Sequence, residues 1–284
     1  MSPHGKSLLL LVCTTLLWST SGVLIKSIDW NPLAISSSRS LVAALVIAFL
    51  ARNQISWKRP DAGQLTGGVF LALVSVSFVS ATKLTTAANV IFLQYMAPVW
   101  VAILAPLILK EPTARRDWFF IALTFSGLGM FFMDSLSMEG FWGIILAIFC
   151  GLCFAAMAIT VRVVKDSRPF QSMIYGNIMV AVLGLFFIRP PWPSAGEVGL
   201  LIFAGVIQYG LPFYLYAKAC AGVSSLELVL VTSLEAVFNP LWVFLIINER
   251  PGNWALVGGS VVLAAVTAWS VVKILKPLPA PDRQ

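Results

Sequence analysis

Residues 87–112, AANVIFLQYMAPVWVAILAPLILKEP, and residues 225–251, SLELVLVTSLEAVFNPLWVFLIINERP, decide the reading of this chain. Each is apolar over a length that crosses a bilayer as a helix, whose backbone hydrogen bonds close internally. Each ends on glutamate: Glu111 stands thirteen residues after Pro98, and Glu249 thirteen after Ala236. A tryptophan, Trp118 or Trp254, opens the next apolar run. Upstream, the eight-residue interval from Trp18 to Lys26 recurs from Phe154 to Arg162. The two stretches are therefore read as corresponding parts of an internal repeat.

Working outward, ten apolar runs are found, near 7–28, 33–51, 64–82, 87–109, 118–134, 140–163, 170–188, 197–219, 226–247 and 252–275. The breaks carry turn or charge signals, such as Asn31-Pro32, Glu111-Pro112 and Arg250-Pro251-Gly252. The split near 83–87 rests only on Lys83 and Thr85-Thr86. The runs are too long and too continuous for the alternating strands of an outer-membrane barrel. The first is too long for a signal-peptide core and is expected to stay as a membrane helix. The pattern predicts an all-α polytopic membrane protein with ten transmembrane helices. Two five-helix repeats, 7–134 and 140–275, precede a short polar tail at 276–284. Five is odd, so the second repeat enters the membrane inverted, an arrangement characteristic of secondary transporters.

Composition agrees. Of 284 residues, 59% are hydrophobic and 11% charged, and the mean hydropathy is +0.90. Soluble domains carry about 25% charged residues. A soluble enzyme, a nucleic-acid binder and a disordered chain are excluded. The net charge of +7 is a topology signal instead. With the N-terminus inside, only Lys26, Lys83, Arg189 and Arg250 fall outside and Arg39 falls within a helix. The other Lys and Arg residues fall on the cytoplasmic side. Both termini are expected in the cytoplasm.

Polar side chains inside a membrane are costly and mark pathways. Glu235 lies midway along the ninth run. It reads as a cavity carboxylate for an ammonium group or a proton, or as a packing hydrogen bond to Asn239. Arg39 reads as a snorkelling side chain or structural ion pair rather than a carboxylate anchor, and Lys83 fits either role. The fourth run carries Asn89, Gln94 and Tyr95 ahead of Pro98, Trp100 and Pro106. The eighth carries Gln208 and Tyr209 ahead of Pro212 and Tyr214. Each proline removes a backbone donor and can bend its helix, freeing carbonyls. Tyr209, Pro212, Phe213 and Tyr216 share a helical face. Trp18, Tyr175 and Asn177 complete the candidate substrate-binding set, and Pro98, Pro106, Pro212 and Pro240 the candidate hinges. Trp30, Trp57, Trp118, Trp142, Trp192 and Trp254 read as interface anchors. Ala147, Gly151 and Ala155, and likewise Ser260, Ala264 and Ala268, read as close-packing stripes.

Leu16-Leu17-Trp18, Arg39 and Leu234-Glu235, with Glu249 following, resemble the recurrent positions of the drug/metabolite transporter superfamily, EamA type, over nearly the whole chain. Within it the chain looks most like the aromatic amino acid exporters. Ala236 departs from the proline that commonly follows the late Glu, so the kink is expected at Pro240. The resemblance implies ten helices around a central cavity that moves small metabolites outward across the bacterial inner membrane.

No catalytic set, cofactor or metal is expected. The sole histidine is His4, no P-loop occurs, and Cys150-x-x-Cys153 lies within an apolar run. The partners expected are a small-molecule substrate and the lipid bilayer, with no nucleic acid and no obligate protein partner. A lipid or drug carrier, an intramembrane enzyme and a channel are the rival readings. The enzyme lacks converging groups around Glu235, and the channel lacks a filter-like loop.

Overall fold

The computed structural model describes residues 2–20, 24, 28–55, 59–85, 87–133, 139–165, 169–238, 242 and 252–275. Among these residues the chain is helical, with no strand. The helices are α1 (Pro3–Trp18), α2 (Pro32–Leu50), α3 (Ala62–Leu84), α4 (Ala87–Gln94), α5 (Ala97–Ile108) and α6 (Arg115–Phe131). They continue as α7 (Phe141–Val163), α8 (Pro169–Gly184), α9 (Ala195–Phe203), α10 (Leu211–Ala219), α11 (Ser225–Thr232) and α12 (Asn253–Leu275). A π-helical stretch, Ala204–Gly210, joins α9 to α10 without a break. Each of the ten apolar runs holds helix, and seven described helical stretches are long and apolar enough to cross a membrane.

Local chemistry starts and stops these helices. Asn31 caps α2 through a side-chain bond from Leu33 N, with Pro32 in the first turn. Asp61 with Gln64, Ser194 with Glu197 and Ser224 with Glu227 form capping boxes ahead of α3, α9 and α11. The split near 83–87 is real: α3 stops at Leu84, and Thr85 is extended, with φ −146° and ψ −173°. Gly140 then opens α7 at φ +77°. A Cβ there would collide with the Leu84 carbonyl, so only glycine lets this junction close.

Packing is between neighbours in space rather than in sequence. α3 lies on α7 and α8, α2 on α8 and the π stretch, α6 on α12, and α1 on α10 and α11. α4 and α5 lie on α7, and α5 also meets α11. Small residues set the closest approaches. Gly205 and Gly210 bring the π stretch onto Val42 and Val46 of α2, where a Cβ would stand 2.5 and 2.9 Å from the valine Cβ atoms. The Ala147–Gly151–Ala155 stripe is buried as expected. The other stripe is not: Ser260, Ala264 and Ala268 are exposed, and α12 instead buries Gly258, Val262, Ala265 and Trp269. The difference arises because larger α12 side chains, Trp269 above all, fill the groove against α6.

The outer surface is strongly apolar. Leu107 is 77% exposed, Phe186 73% and Trp142 72%. In water such a surface would be an aggregation hazard; facing lipid, it is the low-energy arrangement.

Candidate functional site

Two helix interruptions stand at corresponding places in the repeat. α4 ends at Gln94 and α5 begins at Ala97, leaving Tyr95-Met96 as a turn. α11 ends at Thr232, and helix resumes at 235, leaving Ser233-Leu234 as a turn. The alignment of Met96-Ala97-Pro98 with Leu234-Glu235-Ala236 places one turn upon the other. The two meet: Tyr95 Oη donates to Glu235 Oε2 at 2.8 Å.

That contact lies on the wall of a cavity of about 140 Å³. The wall draws Trp18 from α1, Arg39 from α2, Ser75 and Phe78 from α3, Gln94 and Tyr95 from the α4–α5 segment, and Phe154 and Met157 from α7. Gln208 and Tyr209 come from the π stretch, Phe213 from α10, and Glu235 completes it. A mostly apolar, aromatic lining with a few convergent polar groups suits a small amphipathic metabolite. Aromatic edges dominate: Trp18 and Phe213 meet edge-to-face at 5.2 Å, and Tyr209 and Phe213 at 4.7 Å. Tyr209 Oη and Ser75 Oγ are hydrogen-bonded at 2.9 Å.

The structure thus brings together Trp18, Gln94, Tyr95, Gln208, Tyr209 and Glu235 from the sequence candidates. Others lie off the wall, for local reasons. Asn89 donates to Thr85 Oγ1 at the end of α3. Asn177 is fully buried and returns its amide to the Met173 carbonyl. Tyr175 accepts from Gln171 on its own helix. Tyr214 stacks on Phe170 at 5.2 Å. Trp100 packs against the core from α5. Lys83 falls in the last turn of α3, and its side chain is outside the described residues.

The candidate hinges separate as well. Pro98 and Pro212 sit in the first turns of α5 and α10, directly after the Tyr95 turn and the π stretch. Pro106 lies inside α5, but the carbonyl it leaves without a donor, that of Ala102, accepts from Thr113 Oγ1 at 2.9 Å. That carbonyl is therefore not free for substrate. Pro240 and Asn239 lie outside the described residues.

The residue that sequence reasoning placed wrongly is Arg39. Rather than snorkelling or ion-pairing, it is 8% exposed on the cavity wall. Its Nη1 donates to Gln208 Oε1 at 2.8 Å, and its guanidinium lies 4.1 Å from the centre of the Tyr209 ring. An arginine inside a span costs roughly 3 kcal/mol or more on insertion scales. The π stretch explains how it is tolerated: Gly205 and Gly210 bring Gln208 and Tyr209 against α2, so an acceptor and an aromatic face reach the guanidinium together.

A second polar cluster lies at the end of the bundle that carries the N-terminus. Glu111 Oε1 accepts from Arg162 Nε at 2.8 Å, and Oε2 accepts from Ser225 N at 2.9 Å and Ser225 Oγ at 2.8 Å. Arg162 Nη1 reaches the Cys220 carbonyl at 2.8 Å. One carboxylate therefore ties the end of α5, the end of α7 and the start of α11.

The EamA-like transporter family profile matches residues 5–133 and, a second time, residues 141–271. The chain belongs to the EamA-like transporter family. It is 24% identical over 263 residues to an uncharacterised transporter of Archaeoglobus fulgidus, covering 91% of this chain and 94% of that one. It is 21% identical over 274 residues to the biotin transporter of Escherichia coli K12, covering 90% and 91%. It is 25% identical over 231 residues to the S-adenosylmethionine uptake transporter of Rickettsia prowazekii, covering 80% and 77%. A solved crystal structure superposes with a TM-score of 0.82 at 15% identity, covering 96% of this chain and 99% of that one, which establishes the fold alone. The chain is thus a multi-pass membrane transporter. The relatives named are uncharacterised, biotin and S-adenosylmethionine transporters, so the resemblance to aromatic amino acid exporters gains nothing from them.

Proposed function

We propose that this EamA-family chain is a secondary carrier moving small amphipathic metabolites by alternating access across the bacterial inner membrane. Aromatic or hydrophobic amino acids, exported from the cytoplasm, are the first candidate substrates. Ten spans form two inverted halves, 7–134 and 140–275, with both termini in the cytoplasm.

The observation that carries this reading is the meeting of the Tyr95 and Ser233–Leu234 interruptions across the cavity through the Tyr95–Glu235 bond. Discontinuous helices from the two halves, facing each other beside a central cavity, are how inverted-repeat carriers build a binding site. Helix pairing supports the same reading. Exchanging the halves turns the α3–α7 contact into α10–α1 and the α4–α7 contact into α11–α1, while α2–α8 and α6–α12 map onto themselves. The twofold family match points the same way.

The named relatives favour a second reading for substrate and direction. Biotin and S-adenosylmethionine are larger than an amino acid, and one of these relatives is an uptake transporter. The aromatic wall suits such molecules too.

Purified chain in proteoliposomes distinguishes these readings. Counterflow is measured for aromatic and aliphatic amino acids, biotin and S-adenosylmethionine, with and without a pH gradient. The expected result is counterflow of at least one of them, lost in Glu235→Gln. No counterflow of any would contradict the carrier reading.

A further inference from the structure

We infer that Arg39 is a carboxylate-binding subsite, and that the carrier's substrate is a small acid or zwitterion with an apolar body. This rests on the carrier reading and names the chemistry of its cavity.

Arg39 is charged, more than nine-tenths buried, and on the cavity wall. Buried cations are ordinarily paired with a carboxylate. Among the described residues no Asp or Glu lies within ion-pair distance of Arg39; the ion pairs there join His4–Glu227, Arg162–Glu111 and Lys273–Asp117. Its direct protein contacts are the neutral amide oxygen of Gln208 and the ring and hydroxyl of Tyr209, while the Glu235 carboxylate attracts it from beyond ion-pair distance. Gln208 and Tyr209 orient a guanidinium without neutralising it. A guanidinium has five N–H donors in a rigid fork. Here the Nε donor has no partner. The cavity's own carboxylate, Glu235, attracts Arg39 but makes its hydrogen bond with Tyr95 rather than with the guanidinium.

A second buried donor on the same wall, Trp18 Nε1, also has no partner. A ligand that meets Arg39 on the chamber wall must bring acceptor oxygens for the guanidinium and an apolar body for the aromatic lining. A carboxylate offers two oxygens in the plane that the guanidinium fork recognises, which neither an amide nor an amine can do.

The experiment compares four ligands with one ring: 3-phenylpropionate, L-phenylalanine, 3-phenylpropanamide and 2-phenylethylamine. Each is added at millimolar concentration to the purified full-length chain, and binding is read as a rise in thermal unfolding temperature. The acid and the amino acid are expected to raise it; the amide and the amine are not. Arg39→Gln should weaken binding of both carboxylates about tenfold or more, and Arg39→Lys should restore part of it. Gln208→Glu is the second variant, because it keeps Arg39 but supplies a competing carboxylate at its side. It should lower carboxylate affinity while leaving the ligand-free unfolding temperature at or above wild type.

Equal binding of amide and acid overturns the inference. So does carboxylate binding that survives both Arg39→Gln and Gln208→Glu, or failure of all four ligands to bind. Carboxylate binding with no counterflow in proteoliposomes would sink the carrier reading while leaving the subsite standing.

Discussion

The two ends of the helical bundle are held in different ways. At the end carrying the N-terminus, three ion pairs link separate helices: Arg162–Glu111, His4–Glu227 and Lys273–Asp117. Asp117 is completely buried and also accepts from Trp269 Nε1 at 2.9 Å. The opposite end is joined differently. Bonds to backbone groups link its segments: Thr85 Oγ1 to the Glu139 carbonyl, Trp30 Nε1 to the Arg189 carbonyl, and Asp29 N to Glu197. The Asp29–Glu197 bond is charge-assisted on one side, whereas the ion pairs of the first end carry opposite charges on both partners. In the carrier proposed above, opening the cavity at the end that carries the N-terminus would mean releasing these ion pairs.

Several substitutions sharpen that contrast. The largest effect is expected at Glu111, which accepts three hydrogen bonds and neutralises Arg162. Glu111→Gln should cost about 2–4 kcal/mol of unfolding free energy, because a guanidinium is left half-buried without its counter-charge. A double-mutant cycle with Arg162→Gln measures it, and independent, additive losses would contradict the coupling. Next comes Trp269→Phe. It removes one donor from a buried carboxylate and should cost about 1–3 kcal/mol. At the opposite end Thr85→Val removes a half-buried hydroxyl that donates to the Glu139 carbonyl and accepts from the buried Asn89 amide, two neutral bonds, and should cost about 1–2 kcal/mol by the same denaturation assay. A loss as large as that of Glu111→Gln would erase the difference between the ends.

The smallest effect is a pH dependence. The hydrogen bond to the Glu227 carboxylate raises His4 above the ordinary 6.5. A group whose folded pKa is raised stabilises fully below its ordinary value and loses that contribution as pH climbs through the raised one. His4 remains partly exposed, so screening limits the effect to under ~1 kcal/mol. Unfolding midpoints compared at pH 6 and pH 9 (on the order of one pH range around the histidine titration) should differ more in wild type than in His4→Gln.

Much of this was legible in the sequence, for identifiable reasons. Helix-length apolar runs and turn residues report local physics, so Asn31-Pro32 marks a helix start directly. The Glu235, Tyr95 and Gln94 candidates were visible because polar groups inside apolar runs are conspicuous. What stayed hidden depended on which neighbour each face meets. Tyr209 and Tyr214 read alike, yet one lines the cavity and the other stacks on Phe170. The seven-residue π stretch changes the helical register at Gln208 and Tyr209, and no residue pattern announces it. Arg39 was misread because its partners lie on that stretch, far away in sequence. Pro106 looked like a source of free carbonyls until Thr113, folded back beside Ala102, supplied the missing donor.

The most direct test of alternating access asks whether the Glu111–Ser225 clasp must open. Glu111→Cys and Ser225→Cys are combined, with Cys13, Cys150, Cys153 and Cys220 replaced by alanine, and the pair is bridged by a short thiol-specific cross-linker that a reductant cleaves. Counterflow of a transported solute is then followed in proteoliposomes. The account predicts that bridging stops counterflow and that cleaving the bridge restores it. Counterflow at the unbridged rate with the clasp locked would contradict it.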